Sequence, residues 1–335
     1  MKNPLALLPS LSLPELRYAD GFWPTTLLLS YISVAVVAGG FLSAQGVLPL
    51  WLLGIFFLGH GLIVSAYLIH DLTHQAVFRK PEHNARLGRF LAFVTGACYG
   101  SYNDIRLKHM RHHVERTDVV AIDYRAWLAR HPLARRIVEA LEWAYIPAVD
   151  LVMHGLVIAA PFLFEEYRSL RRYTAAMILL RGSAFLLLLI LEPAVAFGYV
   201  CAYLLMIHVL RLMDMHQHTY DVVYGDTEGH DRPDREFERQ NTFSNPLGES
   251  RFLNLLVLNF GYHNAHHERP TAPWYRLPEL HRELYGSLQN QTFPLRGVLR
   301  NLHQYRVARV MGAPDTLAGQ PGFGGLYGVS FLTTL

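Results

Sequence analysis

Histidine is the residue type on which chemistry could rest: the 335-residue chain has 18. Three clusters carry ligand spacing: His70-Asp-Leu-Thr-His74, His109-Met-Arg-His112-His113 and His263-Asn-Ala-His266-His267. On a helix, residues three and four apart share a face. Each cluster therefore projects two or three imidazoles in one direction, and neutral imidazole is the commonest metal ligand near neutral pH. A ninth candidate lies in Arg211-Leu-Met-Asp214-Met-His216-Gln-His218. Asp214 and His218 face the same way with His216 roughly opposite, so we expect His218 as ligand. Asp214 would hold a metal-bound water or orient an imidazole. The competing reading is two solvated histidines at a membrane surface.

Eight or nine histidines are too many for one zinc, which takes three or four protein ligands, but suit two metals. An all-nitrogen set with open positions fits iron, zinc, copper or nickel by softness. Iron with dioxygen is the metal chemistry that attacks an unactivated methylene. The two cysteines, Cys98 and Cys201, sit in apolar stretches and offer neither a disulfide framework nor a sulfur metal site.

The elements that must position these clusters are apolar. The chain is 51% hydrophobic and 17% charged, against about 25% charged for soluble proteins, which excludes disorder. A net charge of +3 gives no reason to expect a nucleic-acid partner. A bilayer core needs about 20 apolar residues per helix. Residues 24–43, 47–69, 174–192 and 194–213 meet this and pair into two hairpins, the second turning at Glu192-Pro193. Lys and Arg number 15 in residues 70–172 and 11 in 214–335, with none at either hairpin tip. The positive-inside rule then puts both termini, and the segments 70–173 and 214–335, on the cytoplasmic side. Prolines 4, 9 and 14 interrupt Leu5–Leu13, so no signal peptide is expected. The expected fold is an all-α, multi-pass integral membrane protein, one domain over 1–335. Four transmembrane helices in two hairpins would carry a helical cytoplasmic cap holding the histidine clusters. Phe90 to Tyr102 is too short to span and reads as re-entrant or interfacial; Ile146 to Phe164, broken by Asp150, His154 and Pro161, reads as an interfacial helix. The tail after Gly312 receives no assignment.

The pattern HDLTH, HMRHH and YHNAHHE resembles that of the membrane fatty-acid desaturase and hydroxylase superfamily, from roughly Leu50 to Tyr285. The resemblance implies an oxygen-dependent di-iron enzyme with His70, His74, His109, His112, His113, His218, His263, His266 and His267 as metal ligands. In stearoyl-type members an extra histidine near the end of the fourth helix completes nine. An asparagine one helical turn earlier reaches the metal through water; His218 and Asp214 match those positions, with Asp in place of Asn. Tyr262 through Pro273-Trp274-Tyr275-Arg276-Leu277-Pro278 is similar to bacterial acyl-lipid desaturases, and nearly as similar to carotenoid ketolases and hydroxylases. The implied reaction introduces a C=C bond into a fatty-acyl or lipid chain entering from the bilayer. Cofactors are two Fe ions with O2 as co-substrate, and two electrons come from an external donor. No GxGxxG turn, cysteine cluster or His-Pro-Gly-Gly sequence is present, so a separate ferredoxin, rubredoxin or cytochrome with its reductase is implied. It would dock near Arg106, Lys108 and Arg111, although positive-inside bias explains those charges equally well.

Other residues are weighed beside these. Asp71 accepts a hydrogen bond from a ligand imidazole or caps a helix; Asp118 and Glu268 are similar candidates. His60 and His208 lie within spans, where an ionisable residue is a functional candidate, but a neutral histidine hydrogen-bonded between helices is the favoured reading. His83, His131, His154, His230, His281 and His303 lack partners at ligand spacing and read as surface or packing. Arg181 is expected to snorkel to the interface; Trp51, Trp127, Trp143 and Trp274 suit an interfacial belt. Three competitors remain open: a di-iron hydroxylase or ketolase on a carotenoid or alkane, a zinc-dependent membrane hydrolase, and a haem-binding electron carrier. The absence of HExxH and the surplus of histidines weigh against the hydrolase.

Overall fold

A computed structural model of the protein describes residues 14–120, 123–224, 232–286, 291–312, 316–317 and 320–321. His230, the N-terminal prolines 4 and 9 and nearly all of the tail after Gly312 lie outside the described residues. The chain is mostly helical: α1 (Phe22–Ser43), α2 (Leu48–Thr73), α3 (Pro81–Thr95), α4 (Tyr102–Glu115), α5 (Tyr124–Arg130), α6 (Pro132–Trp143), α7 (Ala148–Leu163), α8 (Arg171–Leu191), α9 (Pro193–Asp214), α10 (Arg235–Asn241), α11 (Arg251–Leu255), α12 (His263–Glu268), α13 (Leu277–Tyr285) and α14 (Leu295–Tyr305). Four of these, α1, α2, α8 and α9, are long and apolar enough to cross a membrane by length and composition.

Small residues let α1 and α2 touch. A Cβ on Gly39 would lie 2.7 Å from the Leu58 side chain and 2.9 Å from the Gly54 carbonyl oxygen. Glycine is required wherever backbones approach this closely. Gly46, at φ +67°, turns the short link between the two helices. At the other pair, Pro193 occupies the first position of α9, where its missing N–H is harmless. The main core joins the inner faces of α1, α2 and α9 to α3 and α4, with Leu62, Tyr67, Leu68, Ile105, Met206 and Leu210 buried. The helix α8 is the opposite case, burying only Thr174; apolar residues all round suit a helix facing lipid.

Two details depart from the sequence boundaries. Apolarity falls at His70-Asp71, yet α2 continues to Thr73, because the backbone ladder propagates regardless of side-chain polarity once a helix is nucleated. The apolar run Phe90–Tyr102 is not one segment: α3 ends at Thr95 with Gly96 left-handed at φ +88°, and α4 starts after Ser101. Ser101 and Asp104 form a reciprocal capping box, Asp104 N–H donating to Ser101 Oγ at 3.2 Å and Ser101 N–H to Asp104 Oδ2 at 2.9 Å. The broken run Ile146–Phe164 forms α7, with Pro161 inside its last turn.

Helices α5 to α7 build a second, smaller core around Tyr124, Leu128, Val138 and Met153. It is tied to α9 by a buried ion pair, Arg211 Nη1 to Glu142 Oε2 at 2.6 Å, with Asp150 Oδ2 at 3.7 Å from Arg211 Nε. Burial pushes the Asp150 carboxyl up to about 8, against the opposing pull of Arg211. Removing one partner from such a pair leaves a buried charge uncompensated, at a cost of about 3–5 kcal/mol.

Candidate metal centre

Each histidine cluster is placed by a different device. The first sits at the C-terminal end of α2, where His70 occupies the last turn and His74 caps the helix. The Tyr102 hydroxyl donates to Leu72 O at 2.7 Å and locks the start of α4 beside that end. The second cluster lies on α4, whose C-cap Arg116 is left-handed at φ 53°. That conformation is unusual for a side chain with Cβ, and the guanidinium is held by Glu238 Oε2 at 3.0 Å and Pro233 O at 2.7 Å. Beyond Arg116, β1 (Asp118–Val120) pairs in parallel with β2 (Val222–Tyr224), in the register Asp118 with Val222. This pairing lays the exit of α4 against the exit of α9 and brings His112 next to His218. The third cluster is the short helix α12. Its entry depends on Gly261, where a Cβ would be 2.8 Å from Asn245 O. Asn245 Nδ2 donates to Met213 O at 2.7 Å, fastening that loop to α9.

The side chains converge in two groups, each with ring nitrogens within 4.8 Å of one another: His70, His74, His109, His113 and His266 in the first, His112, His218, His263 and His267 in the second. Both HxxHH clusters divide between the groups. Residues four apart stay together, His109 with His113 and His263 with His267, while the third member of each, His112 or His266, crosses to the other group. Asp214 is not among the converging atoms of either.

Close Nε2–Nε2 approaches test whether a metal fits. His109 Nε2 lies 2.7 Å from His74 Nε2 and 3.2 Å from His113 Nε2. His218 Nε2 lies 3.0 Å from His112 Nε2 and 2.7 Å from His263 Nε2. A ring nitrogen carries either one hydrogen or one in-plane lone pair, so neither His109 nor His218 can satisfy both neighbours by hydrogen bonding. A cation in each group that accepts the lone pairs resolves the conflict. His267 Nε2 is buried without a hydrogen-bond partner, as a ligand nitrogen would be. Burial, reinforced by neighbouring imidazoles, holds His74, His109, His113, His218, His263, His266 and His267 well below the ordinary histidine pKa. They are neutral at pH 7, the form that binds metal.

Several ligand candidates are oriented from behind. His267 Nδ1 is 3.0 Å from Glu238 Oε1, and Arg116 holds the other oxygen of that carboxylate. His112 Nδ1 is 3.1 Å from Thr117 O and 3.3 Å from Asp118 Oδ1. Asp71 does not quite reach His70, at 3.6 Å, but accepts the Trp274 N–H at 2.8 Å and so ties the first cluster to the segment after the third. Glu268 instead pairs with Arg239 at 2.7 Å and with Arg235 at 3.5 Å. Glu238 is the residue that spacing missed: it stands in a polar stretch with no periodic relation to any cluster, and nothing in the sequence marks it.

The remaining histidines and cations have their own places. His216 Nε2 is held by Arg309 at 2.9 Å and Asn301 at 2.6 Å. His60 lies 2.5 Å from the Tyr31 hydroxyl and 3.0 Å from Leu256 O. Around the second cluster, Arg111 pairs with Glu115 at 3.0 Å. Lys108 is drawn down to about 8 by burial, against the fields of Asp118 and Asp214.

Residues 21–298 match the sequence model of the fatty acid desaturase family. A sphingolipid delta(4)-desaturase DES1-like protein of Oryza sativa subsp. japonica is 23% identical over 300 residues, covering 86% of this chain and 76% of that protein. A sphingolipid delta(4)-desaturase of Candida albicans (strain SC5314 / ATCC MYA-2876) is 24% identical over 245 residues, 67% of this chain. The chain spans 60% of the length of that second relative.

Proposed function

The chain belongs to the fatty acid desaturase family, and we propose that it is a di-iron, oxygen-dependent lipid desaturase whose ligands are the nine converging histidines. It is a membrane protein by its family and its four long apolar helices. The observation that carries the finer reading is the five-and-four division of the imidazoles. A five-nitrogen group exceeds the tetrahedral shell of a zinc site, whereas iron accepts such a set and leaves room for a co-substrate. In this reading the chain is one membrane domain over 1–335, α1–α2 and α8–α9 are two transmembrane hairpins, the clusters sit on a helical cytoplasmic cap, and positive-inside bias sets the orientation.

Two irons held by these histidines would supply the oxidising chemistry by which dioxygen, two electrons from a separate carrier and two protons remove two hydrogens from adjacent methylenes, giving an alkene and two waters. The chain's own part is geometric and electrostatic. Glu238 fixes the tautomer of His267, and Thr117 O does the same for His112. The ligand side chains are buried or nearly so, which keeps bulk water from the reacting methylenes. The substrate's apolar chain reaches the site from the bilayer. The relatives' names favour a sphingolipid or another acyl lipid as that substrate. Expression in a host followed by mass-spectrometric lipid profiling tests the assignment, with His112→Ala as control. Lipids two hydrogens lighter than their precursors, absent with the variant, are expected. Lipids that gain oxygen instead would make the protein a hydroxylase or ketolase on the same metal site.

A further inference from the structure

A small open cleft with none of the nine converging histidines in its lining lies between the Gly96–Tyr99 loop, Val157 and Ile158 of α7, and Tyr203 of α9. His154 lines it as well. Its depth can be read from α8. Thr174, in the first turn, donates from Oγ1 to Tyr99 O at 3.1 Å, placing the loop at the cluster-bearing end of that helix. Arg181 lies seven residues further, about 10 Å along the axis. It reaches back inside the protein rather than out to the surface, with Nε 3.1 Å from Phe93 O and Nη1 3.3 Å from the Tyr99 hydroxyl; Tyr199 is its third partner. An intramembrane arginine committed to neutral oxygens fixes the loop that forms one wall. The cleft therefore lies beside the first turns of α8, next to the loop that leads into α4; in the four-span reading proposed above, that is the end of the helix where a lipid's polar head would meet its chain.

The chemistry inside is specific. His154 Nδ1 is 2.9 Å from the Tyr203 hydroxyl, and His154 Nε2 is buried with no partner. Burial pushes this histidine down to about 4, so it is neutral at pH 7. Two arrangements of the pair are possible. If the Tyr203 hydroxyl donates to Nδ1, Nε2–H is an unmet donor and the Tyr203 oxygen an unmet acceptor. If Nδ1–H donates, Nε2 is the unmet acceptor and the Tyr203 hydroxyl the unmet donor. Either way the pair presents one donor and one acceptor together, the complement of a hydroxyl or a secondary amide. None of the residues lining the cleft carries a charge, His154 being neutral; the Arg181 guanidinium abuts the wall at Gly96, where its donors are taken by the Phe93 carbonyl and the Tyr99 and Tyr199 hydroxyls.

We propose that this cleft is the head-group site for the lipid whose chain the metals act on, and that it takes a neutral head bearing a hydroxyl or secondary amide, with His154 and Tyr203 as the specificity-determining pair. This rests on the desaturase reading. A phosphate, carboxylate or coenzyme A head has no cation in the lining to receive it. An analogue lacking the hydroxyl would leave the buried pair unmet, and such sites discriminate strongly.

The test is equilibrium binding to the purified, metal-loaded full chain, with product formation read separately. Probes are radiolabelled N-palmitoyl dihydrosphingosine, its 3-deoxy and 1-deoxy analogues, and palmitoyl-coenzyme A. Wild type is expected to bind the hydroxylated amide at least ~10-fold more tightly than one of the deoxy analogues and than the thioester, about 1.4 kcal/mol. His154→Phe and Tyr203→Phe should each erase that preference while leaving deoxy-lipid affinity within ~2-fold, and His154→Gln should retain part of it. Equal affinity for hydroxylated and deoxy lipids in wild type overturns the proposal. So does tight thioester binding, or a loss in the variants shared equally by all probes, which would mark packing. Product formed without head-group preference sinks this proposal alone. Preference without any product sinks the desaturase reading instead.

Discussion

The two imidazole groups are built from the same clusters but by different physics. Four of five members of the first, His70, His74, His109 and His113, come as i, i+4 pairs, one on the last turn and C-cap of α2 and one on α4, so helical geometry largely aims them. The second draws on an isolated crossing residue, His112, a post-helical residue, His218, and the short α12. It is backed by Glu238, Thr117 O and Asp118. Where secondary structure does not aim a ligand, a carboxylate or carbonyl behind the ring does. The first group should therefore tolerate changes in its surroundings better than the second.

Loss of a ligand gives the largest effect. His267→Ala should abolish desaturation and lower bound metal from two ions per chain to one, whereas His74→Ala should do the same through the other site. Metal analysis of each variant, and of the double variant expected to bind none, checks the division. Two ions retained by His267→Ala would show that the second group is not a site of its own.

Next is the supporting carboxylate. Glu238→Gln keeps the shape but loses the charge that orients His267, and such changes typically cost ~10–100-fold in metal affinity. The loss should fall on one of the two ions only, measured by competition with a chelator. A uniform weakening of both would mean that the two groups act as one unit and are not supported by different means.

Glu238 also shows where sequence reading stops. The histidine clusters are legible because ligand spacing coincides with helical period, and the spans because twenty apolar residues have few other uses. The division of each HxxHH between two groups is not legible: spacing gives a common face, but which metal a ring reaches depends on the β1–β2 register and on the Gly261 turn. His154 looked like a stray polar residue in an apolar run, because its partner Tyr203 is 49 positions away. Likewise Arg181 was expected at the interface by its place near a helix end, but carbonyl and phenol oxygens from α3, its following loop and α9 turn it inward.

Acid should act on both groups, and its sign follows from burial. The folded protein holds His70, His74, His109, His113, His218, His263, His266 and His267 below their unfolded pKa of about 6.5, so the unfolded chain binds more protons as pH falls. The metal-free protein is thus fully stabilised above about 6.5 and loses stability below it, by up to about 1.4 kcal/mol per pH unit for each fully buried histidine. For His154 that loss continues to about 4. Thermal unfolding of the metal-free chain should show Tm falling from pH 7 to pH 5, and the metal-loaded chain should fall less over the same range. Parallel curves with and without metal would mean that the imidazoles are not what the metal occupies.

The smallest effect is expected at Asp214, where this chain has a carboxylate in the position that resembles the asparagine of stearoyl-type members. Asp214 is outside both converging groups, and its charge is felt at Lys108. Asp214→Asn removes that charge while keeping size and one acceptor oxygen. Metal content should therefore stay at two ions per chain, and turnover should change by less than about tenfold, or 1.4 kcal/mol. The electrostatic consequence is separate and has its own readout. Without the Asp214 field, the Lys108 ammonium should titrate below about 8, so Lys108 should be labelled faster by an amine-reactive probe at neutral pH. Loss of one metal ion in Asp214→Asn would instead place the carboxylate in the second group's coordination shell, making that group depend on five residues as the first does.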